Sequence, residues 1–437
     1  MNPYVEAIRA ADLLRRVGRV VQLAGLSIES SGPDAPIGEV CEITPRNDGA
    51  KILAEVIGLR EDRIVLMPYG DTRGIGAGCK VEATGRLPDV PVGPALLGRV
   101  VNAFGEPMDS GPVIEEMGKR PLRSLPINPL TRPRVDTVLE TGVRCIDSLL
   151  TIGRGQRIGI FAGSGVGKST LLGMISRNVQ ADVNVIALIG ERGREVREFI
   201  EKHLGEDGLK RSVVVAATSD VSALARARAA YTATAIAEYF REQGKHVMLT
   251  MDSVTRFAMA KREIGLSAGE PPTARGYTPS VFAELPELCE RCGTSDSGGS
   301  ITALYTVLVE GDDFNEPISD TLRATLDGHI VLTRRLAHRG HFPAVDVLQS
   351  ASRLLPDLVP EEEVSLVHKV TDAVSVFERN REMIDIGAYR QGSNPEIDRA
   401  VGLMPALNAF LKQGNAEVET RSQVVAKLRQ ILAEAQP

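Results

Sequence analysis

Lys168, Ser169 and Thr170 close a glycine-dense run, Ala162-Gly163-Ser164-Gly165-Val166-Gly167, that itself follows the apolar stretch 158–161. The pattern reads as a short strand, a tight turn, and a helix continuing through Leu171, Leu172, Met174 and Ile175. A turn with few side chains exposes its backbone N–H groups. Together with the positive end of the following helix, those groups bind an anion. A lysine adds charge for the outer phosphates and a hydroxyl adds a ligand for magnesium. The run is therefore expected to cradle a nucleotide triphosphate on Gly163, Ser164, Gly165, Val166, Gly167, Lys168, Ser169 and Thr170, with Ser169 on Mg2+. Ala162 stands where the phosphate-loop pattern has its first glycine. Alanine is the smallest departure, and the loop is expected to tolerate it.

Hydrolysis asks for more: a second metal holder, a base that orients water, a charge to neutralise the phosphate, and exclusion of bulk water. Val247-Met248-Leu249-Thr250-Met251-Asp252 is an apolar strand ending in an acid, the form that delivers a carboxylate to the metal. Asp252 would serve equally as N-cap of a helix beginning near Val254, and the two roles are compatible. Another apolar run, 183–189, ends in Gly190-Glu191-Arg192. Such an ending puts a carboxylate and a guanidinium at the carboxyl edge of the strand, where open α/β sheets bind ligands. Glu191 would polarise the attacking water and Arg192 would neutralise the γ-phosphate. On composition alone, 190–198 is equally readable as a solvated charge run.

These residues need a frame, and the patterning supplies one in three parts. Residues 1–90 hold short β segments at 19–23, 38–43, 52–59, 63–67 and 79–83, spaced as in a small barrel. The Pro- and Gly-rich stretch 87–94 then punctuates the chain. Across 91–360 strands and helices alternate, the mark of a parallel sheet covered on both faces. Strands are expected at 183–189, 213–217, 246–251, 301–309 and 329–332, and a long helix at 223–242. Ala227, Ala230, Thr234 and Ala237 keep one face of that helix small, suited to close packing on the sheet. Residues 361–437 show only helical patterning, at 362–381, 396–413 and 418–435.

The 437 residues, 43% hydrophobic and 25% charged, leave room for two or three domains. A net charge of −6 and an aromatic content of 4% without tryptophan argue against nucleic acid as a partner. No run of 18 apolar residues spans a membrane, and the start lacks a signal-peptide pattern. Residues 1–17 read as a short helix, apolar at Val5, Ile8, Leu13 and Leu14 and basic at Arg9, Arg15 and Arg16. That segment either touches a partner or an anionic membrane surface, or frays. Five scattered cysteines suggest reduced thiols. Cys289 and Cys292 form a CxxC with no second pair to complete a zinc site, and read as two small hydrophobes.

Several long words extend the picture: Val92-Gly93-Pro94-Ala95-Leu96-Leu97-Gly98-Arg99-Val100, the run 152–170, Gly190-Glu191-Arg192-Gly193-Arg194-Glu195-Val196, and the runs 281–288, 306–317, 326–332 and 341–353. Together they resemble the ATPase of the bacterial type III protein export apparatus, a relative of the catalytic subunit of rotary ATP synthases. The resemblance runs from about residue 18 to the C-terminus and is strongest over 92–353. It implies an α/β fold: a RecA-like P-loop core with an N-terminal small β-barrel and a C-terminal helical domain. It implies ATP and Mg2+, with Lys168 on the phosphates, Ser169 and Asp252 on the metal, Glu191 as the catalytic carboxylate and Arg192 on the γ-phosphate. Arg353, in Ser350-Ala351-Ser352-Arg353, matches the arginine that such proteins insert into the neighbouring subunit's site; without the resemblance it is a surface arginine after a turn. Phe342 matches the aromatic that stacks on the base, with Tyr389 a second candidate and plain core packing the alternative for Phe342.

The resemblance further implies a homohexameric ring with a stalk protein in its pore, a regulator at the N-terminus, and export substrates or chaperones near the C-terminal domain. The ring would sit in the cytoplasm, peripheral at the cytoplasmic face of the export apparatus. Ile386-Gly387-Ala388-Tyr389 and Gly392-Ser393-Asn394-Pro395 look more like the flagellar than the injectisome branch. A rotary synthase subunit is disfavoured by the wording after Arg353, a noncatalytic ring subunit by the acid at Glu191, and an RNA translocase by the negative charge.

Overall fold

Six short strands, some with alternating burial, close the first part of the chain into a barrel. The computed structural model describes residues 15–434 apart from 47–48, 115–116, 310 and 312. The helical reading of the N-terminal segment falls outside the described residues up to residue 14. Strands β1 (Val17–Ala24), β2 (Ser27–Ser30), β3 (Val40–Thr44), β4 (Ile52–Arg60), β5 (Arg63–Pro68) and β6 (Lys80–Ala83) pair in the order β1-β2-β5-β4-β3-β6, and β6 returns to β1. Val20, Ile28, Ile43, Val56, Leu66 and Val81 fill the interior. The sequence suggests five strands where there are six. The sixth, β2, is Ser-Ile-Glu-Ser, buried throughout but without apolar alternation. Its polar side chains find partners on nearby strands: Ser30 donates to the Arg19 carbonyl at 2.9 Å, and Glu29 meets Arg63 at 2.9 Å and Arg60 at 3.2 Å.

The core sheet contains β7 (Val100–Val101), β8 (Arg157–Ala162), β9 (Val183–Ile189), β10 (Ser212–Ala217), β11 (His246–Asp252), β12 (Ser300–Leu308), β13 (Gly328–Leu332) and β14 (Ala351–Ser352). Their spatial order is β14-β13-β8-β12-β11-β9-β10-β7. The strands from β13 to β7 run parallel, and β14 alone on this path pairs antiparallel, on β13. β9, β10 and the middle of β8 are buried on both faces and read as continuous apolar runs, as parallel strands do.

Helix α1 (Lys168–Asn178) leaves β8 through the glycine-dense turn. Helix α2 (Ala223–Glu242) is capped by Ser222, whose hydroxyl accepts the Ala225 N–H; its Ala227, Ala230, Thr234 and Ala237 are buried. Helices α3 (Val254–Ala268) and α4 (Pro279–Glu290) follow β11. The C-terminal helices α5 (Glu361–Asp385), α6 (Pro395–Leu411) and α7 (Arg421–Glu434) bury Val370, Leu407 and Leu428 in the same apolar cluster as Leu171, Leu172 and Ile175 of α1. One continuous core thus joins the helix behind the phosphate loop to the C-terminal helices. Among the described residues no helix is long and apolar enough to cross a membrane.

Candidate active site

The turn after β8 takes its shape from two glycines. Gly165 has φ +77° and Gly167 φ +89°, values that side-chain-bearing residues rarely adopt. Gly167 is the N-cap of α1, so the helix opens directly at Lys168. Ala162 at the end of β8 is buried, whereas Ser164, Gly165 and Ser169 are exposed, so the loop presents its hydroxyl-bearing rim to solvent.

Lys168 turns inward. Its Nζ is bonded to Asp252 Oδ1 and lies 3.7 Å from Glu191 Oε1. Asp252 is the last residue of β11 and is buried; Thr306 of β12 donates its hydroxyl to the same oxygen at 2.7 Å. Sequence reasoning missed Thr306, for an isolated threonine in an apolar strand carries no signal of its own. The N-cap reading of Asp252 is corrected: Ser253 caps α3, its hydroxyl accepting the Arg256 N–H at 3.3 Å. Asp252 is thereby left facing Lys168.

Glu191 follows β9 across Gly190, whose φ of +69° turns the chain. Burial, and then the negative charge of Asp252, push the Glu191 carboxyl up to about 7, while Lys168 pulls the other way. Arg256 is a second residue that sequence reasoning missed. It packs across this turn, such that a Cβ on Gly190 would come within 3.0 Å of its side chain. Arg192 stands apart. It is the N-cap of the short helix 193–198, its side chain is 72% exposed, and its nearest ion pair is Glu195 at 3.6 Å.

Phe342 follows the short helix Arg334–His338 beyond β13, yet it abuts the phosphate loop: a Cβ on Gly167 would lie 3.4 Å from Phe342 Cδ1. Phe342 is 45% exposed, so plain core packing does not account for it. Tyr389 is engaged elsewhere, its single hydroxyl proton shared between the Asn394 carbonyl at 3.0 Å and the Asp398 carboxylate at 2.9 Å at the start of α6.

Arg353 lies at the other end of the sheet. Its N–H donates to the Asp327 carbonyl at 3.0 Å, and its guanidinium to the Arg323 carbonyl at 2.8 Å. Asp327 pairs at 3.0 Å with Arg157, the first residue of β8, whereas the phosphate loop leaves the last. A six-residue strand separates the two ends by roughly 17 Å. The exposed Arg353 side chain therefore serves no phosphate on its own chain. Cys289 and Cys292 are buried and unpaired, with Cys292 Sγ 3.2 Å from Tyr305 Oη.

Comparison with known proteins matches the same three parts. The beta-barrel domain model of the ATP synthase alpha/beta family covers residues 20–85, its nucleotide-binding domain model 142–352, and the type III secretion EscN ATPase C-terminal domain model 359–430. The flagellum-specific ATP synthase of Bacillus subtilis is 54% identical over 97% of each chain. The type 3 secretion system ATPase of Xanthomonas euvesicatoria is 47% identical over 96% of this chain and 95% of its own. The structure of the assembled ATPase EscN from enteropathogenic E. coli superposes with a TM-score of 0.91 at 45% identity, over 95% of this chain and 100% of that one. EscN in complex with its central stalk EscO gives 0.87 at 44%, over the same shares of the two chains.

Proposed function

The chain belongs to the family of flagellum-specific and type III secretion ATPases, and from that premise we propose how its residues hydrolyse ATP to energise flagellar protein export. The observation that carries the reading is the convergence of Lys168, Asp252 and Glu191 beside an open phosphate loop. Residues 163–170 wrap the phosphates with backbone N–H groups, and Lys168 exchanges its contact with Asp252 for the outer phosphates. Ser169 and Asp252 form an all-oxygen donor pair that suits Mg2+, a hard cation held by few protein ligands plus phosphate. Bound there, the metal would neutralise charge on the transferring phosphoryl group.

Glu191 accepts the proton of the attacking water, and its raised pKa suits a base working near neutral pH. Arg192, exposed beside it, neutralises the γ-phosphate by swinging inward from Glu195, and Arg256 supports the turn that aims Glu191. Phe342 stacks on the base. Arg353 completes the site of the next copy in a homohexameric ring. Its position at the far end of β8 from its own loop supports this reading, as does the assembled form of the similar EscN. The division at about residues 90 and 360 separates barrel, ATPase core and helical domain.

By analogy with the EscN–EscO complex, a stalk protein occupies the pore. A regulator, export substrates, chaperones, and a peripheral place at the cytoplasmic face of the export apparatus follow from the family resemblance. ATP turnover by Lys168→Ala and Glu191→Gln tests the core of this reading. Each is expected to lose turnover by about 10²-fold or more, and undiminished turnover in either would overturn its role.

A further inference from the structure

The loop between α6 and α7, residues 412–420, contributes nothing to the phosphate cluster, yet it is linked to both ends of α1: through Phe342 at the N-terminal end, and directly at the other, where Arg177 donates to the Asn415 carbonyl at 3.2 Å. At the N-terminal end Phe342 abuts Gly167, and the Phe342 carbonyl accepts the Gln413 backbone N–H at 2.9 Å. The Gln413 side chain is buried and fully used. Its Oε1 accepts the Arg144 N–H at 2.7 Å, and its Nε2 donates to the Gly142 carbonyl at 2.9 Å and the Glu417 carbonyl at 2.8 Å. Gly142 lies against the far end of α1: a Cβ there would meet Asn178 Cβ at 2.5 Å. Arg144 closes the clamp, donating to the Phe410 and Lys412 carbonyls at 3.0 and 2.9 Å and to the Glu417 and Glu419 carboxylates at 2.6 and 2.9 Å. A buried amide whose partners are all main chain holds one orientation, because any other would leave polar groups unsatisfied.

We infer that Gln413 is a positioning residue for the nucleotide base: its side chain clamps the 412–420 loop to the 142–144 segment at the far end of α1, while its main chain holds Phe342 at the mouth of the phosphate loop. The C-terminal helices and the base side of the site are thereby tied into one body. The inference rests on Phe342 being the base-stacking residue. It carries a selective consequence. Loosening the clamp weakens binding of a nucleotide with a base and spares a bare polyphosphate, which needs only the loop and Lys168.

The test measures, on the full chain, KM for ATP and the inhibition constant of inorganic tripolyphosphate. Gln413→Ala is expected to raise KM for ATP by about tenfold, the scale of lost buried hydrogen bonds, and to leave the tripolyphosphate constant within about twofold. Gln413→Asn, which keeps an amide one methylene short, serves should the alanine variant fold poorly, and is expected to shift the same ratio by a smaller factor. A parallel change in both constants, or no change in either, overturns the inference. Phe342→Ala separates it from its premise. If that variant moves both constants alike, the base-stacking reading fails; if it weakens ATP alone while the Gln413 variants do not, the premise stands and the clamp fails.

Discussion

Lys168 lies between two carboxylates that fare differently. Asp252 takes the contact, while burial first and the nearby Asp252 charge second push the Glu191 carboxyl up to about 7, against the pull of Lys168 at 3.7 Å. A base must be ionised to accept a proton from water. The free enzyme is therefore expected to gain kcat/KM for ATP as pH rises through about 7, and to lose it tenfold per unit below that. A pH profile of kcat/KM checks this; a profile flat from pH 5.5 to 8, on the order of two units spanning the transition, would contradict the role of Glu191. Arg192 shows why residue roles exceed what local pattern reveals. Its place in Gly-Glu-Arg was legible, but its outward side chain was not, since an arginine after a turn is free to pair with whichever acid lies nearest, here Glu195.

Strand ends and the turns beyond them aim these residues. Gly190 reverses the chain after β9 with φ +69°, and Arg256 fills the space where a Cβ would stand. Gly190→Ala is expected to cost about 1–2 kcal/mol in backbone strain, lowering the thermal midpoint by about 2–4 °C, and to cut turnover by displacing Glu191. A variant with wild-type turnover and thermal midpoint would show that the turn does not need its glycine. Strands buried on both faces were legible because continuous apolar runs such as 183–189 have few other uses, and the helix 223–242 because its small face repeats at helical spacing. β2 was not legible, for its serines and glutamate are buried by partners distant in sequence, Arg60 and Arg63 among them. The cap of α3 went to Ser253 instead of Asp252, because β11 runs one residue further than its apolar run and carries Asp252 into the sheet. Phe342 and Gly167 meet only once β13 lies beside β8, a contact with no local signature.

At the scale of the molecule the proposed mechanism makes the phosphate loop half a site. Its own Arg353 stands at the opposite end of β8, exposed, with its backbone tied to Asp327. An arginine supplied by a neighbour is worth roughly 10³–10⁵ in rate, so turnover should belong to the assembly and not to the single chain. The most direct test is specific ATPase activity measured against the assembled fraction as protein concentration is raised, for the natural chain and for Arg353→Ala. Activity is expected to climb with assembly in the natural chain and to stay at least about a hundredfold lower in Arg353→Ala even when that variant is fully assembled. Full specific activity in dilute, unassembled protein, or an assembled Arg353→Ala that matches the natural chain, would contradict this expectation.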